Sequence, residues 1–586
     1  MERLLVSTEM EETWGDGEPV LFLGEWCRRY SRWDRWSKLD AEVLPYHWND
    51  KAKLLRDRQM LTGLHEILLA ELAAELNERH GVDHGLRYWR ILLGPWLGYF
   101  VQTLFDRWAT VQAALNFSDL SGTVSLFGLE DARVPKNMED YLHLGNGQQW
   151  NHFLFSRVLG ESAEIQLVPL ESKGGGQSTS ADEEVSMSRL HWLARAVSRG
   201  SRHLTRATDV LAVNTCFGSL RDELRLQWLL GQMPTLARIP QPVSVDSDVE
   251  SRRWQFGTSS ETEFEAMARR LVVEFLPTAY LEGYQALCDQ ADGLRLPKRP
   301  SAIFTSASHF YDDLFKAWCG KRVEDGSSLV IGQHGGHVGI GWSFPHDHQV
   351  DISDRFLSWG WSDSKEPKVQ PVGMLKALNL PESGEAEPSR AVLVMGCEPA
   401  QSSYLSSAAL SSQFLDYLEE QYEFVETLSP AVRDHLTVRL FLQDLEWEQI
   451  LRWRDRHPMV ALDDGERPIL DLLSESKLFI TTNNGTAFLE SISLGVPTII
   501  FWDTSRWEIL ESAQPLFDEL TMVGVFHATP RSAATHVSRI WSDVQSWWTS
   551  EQVVDVVTRF SDTYCRGGFD IVDQVRRNLP ALARDE

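Results

Sequence analysis

The sequence has no uninterrupted apolar run approaching the ~20 residues that a membrane span requires. It has no C-x-x-C pair among its six widely spaced cysteines. It also has no leader-like opening, since "MERLLVSTEMEETW" places glutamates where a secretory signal carries an apolar segment. These absences predict a chain that stays in the reducing cytoplasm, without a disulfide framework or a zinc knuckle. Basic residues are the minority: 56 against 84 acidic ones leave a formal charge of −28, which repels a phosphate backbone and argues against a nucleic-acid partner. Neither G-x-G-x-x-G nor G-x-x-x-x-G-K-[ST] follows a predicted strand, so a dinucleotide or P-loop enzyme is not expected. H-E-x-x-H is missing too, and no metal is assigned.

What remains is an ordinary globular composition of 43% hydrophobic and 24% charged residues over 586 positions, more than one core usually supports. Short apolar runs closed by turn residues read as strands: "RLLVST", "PVLFLGEW", "TVSLFG", "EIQLVPL", "DVLAVNT", "SAIFTS" and "SLVIGQHGG" in the first part, then "AVLVMG", "TVRLFL", "LFITT" and "TIIFW". Between them lie helical patterns, including Leu61, Leu64, Leu68, Leu72 and Leu76, which recur on one helix face. Strands alternating with helices predict parallel sheets. We expect an N-terminal α/β domain with a helical insertion over residues 1–377, a Pro/Gly/charge-rich linker at 378–390, a second α/β domain over 391–545, and helices packing across both at 546–586. "SKGGGQSTSADEE" reads as a surface loop. "ILLGPWLGYFVQTLF" reads as a buried helix kinked near Pro95, its alternative use being a peripheral contact with the inner membrane.

One bend stands out. "FITTNNGTAFLESISLGVPTIIF" places Asn483, Asn484, Gly485 and Thr486 between a predicted strand and a predicted helix. In open parallel sheets ligands bind beyond the carboxyl ends of strands. Asparagine caps a helix start, glycine admits close backbone approach, and free N–H groups there suit a phosphate. On the following helix Thr486, Glu490 and Ser493 share a polar face, which gives Glu490 the expected role of accepting hydrogen bonds from sugar hydroxyls. The plain alternative is a helix cap at Asn484 and a solvated Glu490.

The second concentration of chemistry is "IGQHGGHVGIGWSFPHDHQVDISDRF". His334 is the candidate catalytic residue, suited to proton transfer or phosphate contact. Gln333, Gly335 and Gly336 are expected to line a cleft beside it, the glycines allowing close approach. His337, His346 and His348 with Asp347 or Asp351 form the competing metal reading, at a spacing that fits no standard pattern. Glu25 and Asp313, at predicted strand ends, are candidates for base or nucleophile.

"LFLGEWCRRY", "VLPYHWND", "HGLRYWRILLGPWL", "SAIFTSASHFYDDLFKAWCGKRVEDGSSLVIGQHGG" and "DRFLSWGW" together resemble a family of transferases encoded in bacterial surface-polysaccharide gene clusters. More distantly, "TTNNGTAFLESISLGVPTIIF" is similar to the donor-binding segment of GT-B glycosyltransferases that use CMP-Kdo or CMP-sialic acid, with Glu490, Gly495 and Pro497 matching. Asn483 and Asn484 stand where hydroxyl residues are common in that group. The resemblance implies two Rossmann-like domains facing a cleft and a nucleotide sugar, CMP-linked favoured, held at Asn483 to Glu490. It implies a glycan or lipid-linked glycan acceptor and no further cofactor. A retaining route through Asp313 and an inverting route with Glu25 as base both stay open. Two other readings fit the same residues: a nucleotide-sugar epimerase or hydrolase on this scaffold, and a non-catalytic glycan-binding or assembly protein.

Overall fold

The computed structural model describes residues 2–15, 17–117, 119–127, 134–162, 165–171, 209–232, 239–257, 261–376, 378, 380 and 388–579. The predicted loop at "SKGGGQSTSADEE" and most of the predicted linker lie outside them. Every paired strand is parallel, as the alternation of strands and helices requires.

Among the described residues the strands form three sheets. The first holds β1 (Arg3–Val6), β2 (Val20–Phe22), β3 (Ala41–Val43), β4 (Leu120–Phe127) and β5 (Leu167–Glu171), in the order β3-β2-β1-β4-β5. The second holds β6 (Leu211–Ala212), β7 (Ala302–Thr305), β8 (Ser328–Gly332), β9 (Arg355–Ser358) and β10 (Val369–Pro371), in the order β10-β9-β8-β7-β6. The third holds β11 (Arg390–Val394), β12 (Leu436–Arg439), β13 (Ala461–Asp463), β14 (Ser476–Thr481), β15 (Thr498–Phe501) and β16 (Phe526–His527), in the order β13-β12-β11-β14-β15-β16. The α/β class with parallel sheets is the one expected. The difference lies in the N-terminal part, where one sheet was expected and two exist.

The helical insertion sits between β3 and β4. Helix Lys51–His80 is capped by the Asp50 carboxylate on Lys53 N at 3.1 Å and ended by Gly81 in the left-handed region, φ 64°. Its stripe Leu61, Leu64, Leu68, Leu72 and Leu76 is buried. Pro95 falls in the first turn of helix Gly94–Phe117, after a break at Leu93 that ends helix Leu86–Leu92. The Gly94–Phe117 helix is buried on nearly all sides, so it does not offer an apolar face to a membrane. Among the described residues no helix is long and apolar enough to cross one.

The chain ends by returning from the third sheet to the second. Helix Glu551–Tyr564 packs on helix Ala487–Ser493, and helix Ile571–Asn578 on helix Leu220–Leu229. Met374 N donates to Arg566 O at 2.9 Å and Arg225 Nη1 to Asp570 Oδ1 at 2.9 Å. These contacts lock the second and third sheets together with their carboxyl ends facing one another.

Candidate active site

Loops from the carboxyl ends of β8, β11, β12 and β14 meet over helix Gly94–Phe117 and helix Met138–Gly145. They enclose a crevice of about 450 Å³, within the range that small-molecule sites occupy. The loops are sewn together at its base: Ser343 and Ser406 form an antiparallel bridge, and Ser407 N donates to Trp342 O at 2.9 Å. Helix Gly94–Phe117 holds the β11 loop from beneath. Arg107 Nη1 donates to Ser402 O at 2.8 Å, Thr103 Oγ1 to Ser403 O at 2.9 Å, and the Gln102 side-chain oxygen accepts from Leu405 N at 2.7 Å.

Asn483, Asn484 and Gly485 line this crevice. The Asn484 side chain is buried, yet neither its amide nitrogen nor its oxygen has a hydrogen-bond partner; the same is true of His346 Nδ1, Ser343 Oγ, Ser406 Oγ and Trp507 Nε1, all on the crevice wall. Buried polar atoms are almost always paired, and each orphan costs about 1–3 kcal/mol. Such atoms occur elsewhere in the fold, both side-chain atoms of Gln449 among them, but six of them gather around this one cavity, where a bound molecule or water can pair with them.

Glu398, in the loop after β11, lines the same wall. Its carboxyl has no cation beside it, and burial alone pushes its pKa up to about 7. His337 and His346, with rings 5.0 Å apart, are both held below the ordinary imidazole range by burial. They therefore stand as neutral rings. Tyr99, Tyr141, Tyr404 and Phe441 add apolar faces.

The bend and the histidine stretch, far apart in sequence, touch. Gly336 N donates to Thr486 Oγ1 at 2.9 Å, and a Cβ at Gly336 would lie 2.3 Å from Gly485 O; only glycine permits this approach. Gly335 abuts Thr486 in the same way. Both glycines pack against the bend and neither faces the crevice. Gln333 is buried and is a strut: its amide oxygen accepts from Trp359 N and Trp361 Nε1, each at 2.9 Å, and its amide nitrogen donates to Gly335 O at 2.8 Å. Its expected place on a cleft wall is corrected accordingly.

Other sequence-based assignments divide similarly. Among the four histidines, His337 and His346 line the crevice, His348 is buried below it, and His334 is exposed outside the lining. Although solvent reaches its ring, the protein atoms packed around it desolvate His334 in part and, with the Lys376 ammonium, hold it below its ordinary pKa. Glu490 is not solvated and does not face the crevice: it is buried and paired with Lys376 Nζ at 2.5 Å.

Asp313 is buried with every oxygen engaged, by Met138 N and Tyr280 OH at 2.7 Å each and by Lys316 Nζ at 2.5 Å. It belongs to the scaffold and cannot act as a nucleophile. Glu25 lies on a 3₁₀ turn after β2, bound by Arg28, outside the crevice lining. Neither carboxylate is among the residues that line the crevice. The sequence reading missed Glu398, whose one visible signal was its position just past the strand "AVLVMG".

No curated protein matches the chain. Among solved structures it is similar to the spinosyn rhamnosyltransferase SpnG (13% identity, TM-score 0.30, over 51% of this chain and 76% of that one). It is likewise similar to MurG of Acinetobacter baumannii (12%, 0.33, 64% and 99%) and to WaaG, a glycosyltransferase involved in lipopolysaccharide biosynthesis (10%, 0.28, 51% and 95%). At such scores these likenesses carry no argument, and the reading of the site rests on its own geometry. Kinship is settled by a different comparison: the model of the LIC12162 family transferase matches residues 3–579, and the chain belongs to that family of transferases.

Proposed function

We propose that this transferase is a glycosyltransferase that moves a sugar from a nucleotide sugar to a bacterial surface-glycan acceptor, with the reaction in the crevice above helix Gly94–Phe117. The observation that carries the reading is Asn484: a buried amide with both polar atoms unpartnered, at the carboxyl end of β14, in the wall of a cavity of about 450 Å³. In this reading Asn483, Asn484 and Gly485 take the donor from the crevice side, and the unpartnered Ser343, Ser406 and His346 complete its polar contacts. Thr486, Glu490 and His334 lie outside the lining, where Lys376 neutralises Glu490. His334, outside the lining, takes no part in the transfer on this reading. The resemblance of residues 481–501 to donor segments favours a CMP-linked sugar of the Kdo type.

The chemistry assigned to the site is direct displacement. An acceptor hydroxyl attacks the anomeric carbon, the bond from that carbon to the nucleotide phosphate oxygen breaks, and the Glu398 carboxylate takes the hydroxyl proton. A carboxyl with a pKa near 7 is well matched to that task. The side-chain amide of Asn484 and neutral His346 donate hydrogen bonds to the departing phosphate in a water-poor setting, where such bonds count for more.

The test is a thermal-shift panel of CMP-, UDP-, GDP- and dTDP-sugars with the free nucleotides, followed by a transfer assay. At least one nucleotide sugar raises the melting temperature of the wild type and fails to do so for Asn484→Ala. A panel without any shift overturns the reading.

A further inference from the structure

The crevice has an apolar extension. The chain leaving β12, Leu440 to Leu442, and helix Gln449–Arg456 bound a second cavity of about 320 Å³, and Phe441 is a wall of both cavities. Around it Phe441, Leu442, Ile450 and Leu451 are 45%, 63%, 41% and 38% exposed. In a chain of net charge −28, four large apolar side chains in one exposed groove are a binding feature rather than leftover surface.

The wall of this groove is built with care. Leu445, Glu446 and Glu448 adopt φ of 47°, 75° and 54°, left-handed conformations that non-glycine residues seldom take. They are held there: Asp444 accepts from Glu448 N at 2.5 Å and Gln449 N at 2.7 Å, and Trp447 Nε1 donates to Glu398 O at 2.8 Å. The strained turn thus fastens the groove to the Glu398 loop, and strain of this kind persists where the surroundings enforce it. Arg454 lies at the groove edge, with no ion-pair partner among the described residues.

We propose that this groove seats the hydrocarbon chain of a lipid-linked acceptor, with the phosphate that joins chain to glycan at Arg454 and the glycan entering the crevice past Phe441. The inference rests on the crevice being the transfer site and names the acceptor class that site takes. The groove's carboxylates are engaged, Asp444 and Asp464 by backbone amides and Glu448 by Ser31 N and Arg29, which leaves its apolar side chains for an apolar occupant, and the shared Phe441 wall joins that occupant to the crevice that holds Glu398.

The probe is a series of n-alkyl phosphates from butyl to dodecyl, below their micelle concentrations, titrated against the full chain by calorimetry. The expected Kd falls by about fourfold for each added methylene until the groove is filled. Leu442→Glu and Ile450→Glu remove that dependence while leaving the nucleotide-sugar thermal shift intact. Arg454→Ala weakens the whole series without changing its slope. A Kd indifferent to chain length, or charged variants that bind as the wild type does, overturns the proposal. So does a wild-type dimer in sedimentation that Leu442→Glu converts to monomer without changing alkyl-phosphate affinity, because the groove then belongs to a second copy. Loss of the nucleotide-sugar shift in the wild type sinks the crevice reading separately, since the alkyl series uses no nucleotide.

Discussion

Two sets of buried polar groups around helix Gly94–Phe117 are finished differently. In the scaffold cluster Asp313 is met by a backbone amide, a tyrosine hydroxyl and a lysine ammonium. On helix Gly94–Phe117 itself Asp106 accepts from Tyr46 OH at 2.8 Å and His47 at 3.1 Å, while Arg107 spans Asp106, Asn151 and Ser402. In the crevice Asn484, Ser343, Ser406 and His346 have orphaned atoms and Glu398 has no counter-charge. Burial is common to both; satisfaction is not. A fully paired buried network specifies a structure, whereas an unpaired one beside a cavity is completed by a ligand.

The sharpest way to break this contrast is Glu398→Gln. We expect the transfer rate to fall by roughly a hundred- to ten-thousandfold, the usual worth of a positioned base, and the wild-type rate to rise with pH through about 7. Stability moves oppositely. The native carboxyl titrates near 7 and the unfolded one near 4.5, so across that window the native state keeps a proton that the unfolded state releases. Wild-type stability therefore declines as pH rises from about 4.5 to 7. Denaturation midpoints at pH 4 and pH 8 check it: the variant gains on the wild type at the higher pH. A variant that keeps full activity removes Glu398 from the mechanism.

Asp313→Ala is the converse experiment. It leaves the Lys316 ammonium buried without its partner, which costs about 3–5 kcal/mol, and we expect a large drop in the denaturation midpoint. Enzyme that remains folded at low temperature should retain its rate per molecule. Unchanged stability with lost turnover would return Asp313 to the chemistry.

How much of this was visible in the sequence depends on distance along the chain. Strands such as β7, β8, β11, β14 and β15 were legible because a strand buried on both faces reads as an apolar run closed by turn residues. The three- and four-residue β3, β9, β10 and β13 were not, being too short to show a period. Nor was the split of the N-terminal strands into two sheets, since strand pairing is non-local. The Asn483 to Thr486 bend was legible from its own residues. Glu398 was not singled out, because its isolation is created by Tyr99, Tyr141 and Tyr404 packing around the loop, two of them from the other half of the chain. His334 was favoured over His337 because a sequence cannot show that the backbone turns to φ 74° at His337. Asp313 and Glu25 were correctly placed near element starts, but their partners Tyr280 and Arg28 become evident only in three dimensions.

Asn484→Ala tests the crevice with a smaller effect. Its amide has no partner in the free protein, so its loss should leave the denaturation midpoint nearly unchanged. It should cost roughly 1–3 kcal/mol of donor affinity, about 5- to 150-fold in Kd. Destabilisation comparable with that of Asp313→Ala would show that the residue caps the bend and nothing more.

Glu25→Gln should do least. Glu25 and Arg28 are partly open to solvent, at 26% side-chain exposure each, and pairs of this kind contribute up to about 1 kcal/mol. The 3₁₀ turn that carries Glu25 is also held by the Cys27 N to Gly24 O bond at 3.1 Å and by Glu25 N donating to Ser412 Oγ at 3.2 Å, neither of which needs the carboxylate. We therefore expect a midpoint shift near the limit of detection and an unchanged rate at every pH. The variant is informative because Glu25 has what a sequence-based search for a base selects, a carboxylate just past a strand end. What it lacks is a place in the lining of the crevice. A rate loss here comparable to that of Glu398→Gln would mean that proximity to a strand end, and not the unpaired state of a buried group, marks the catalytic carboxylate in this protein.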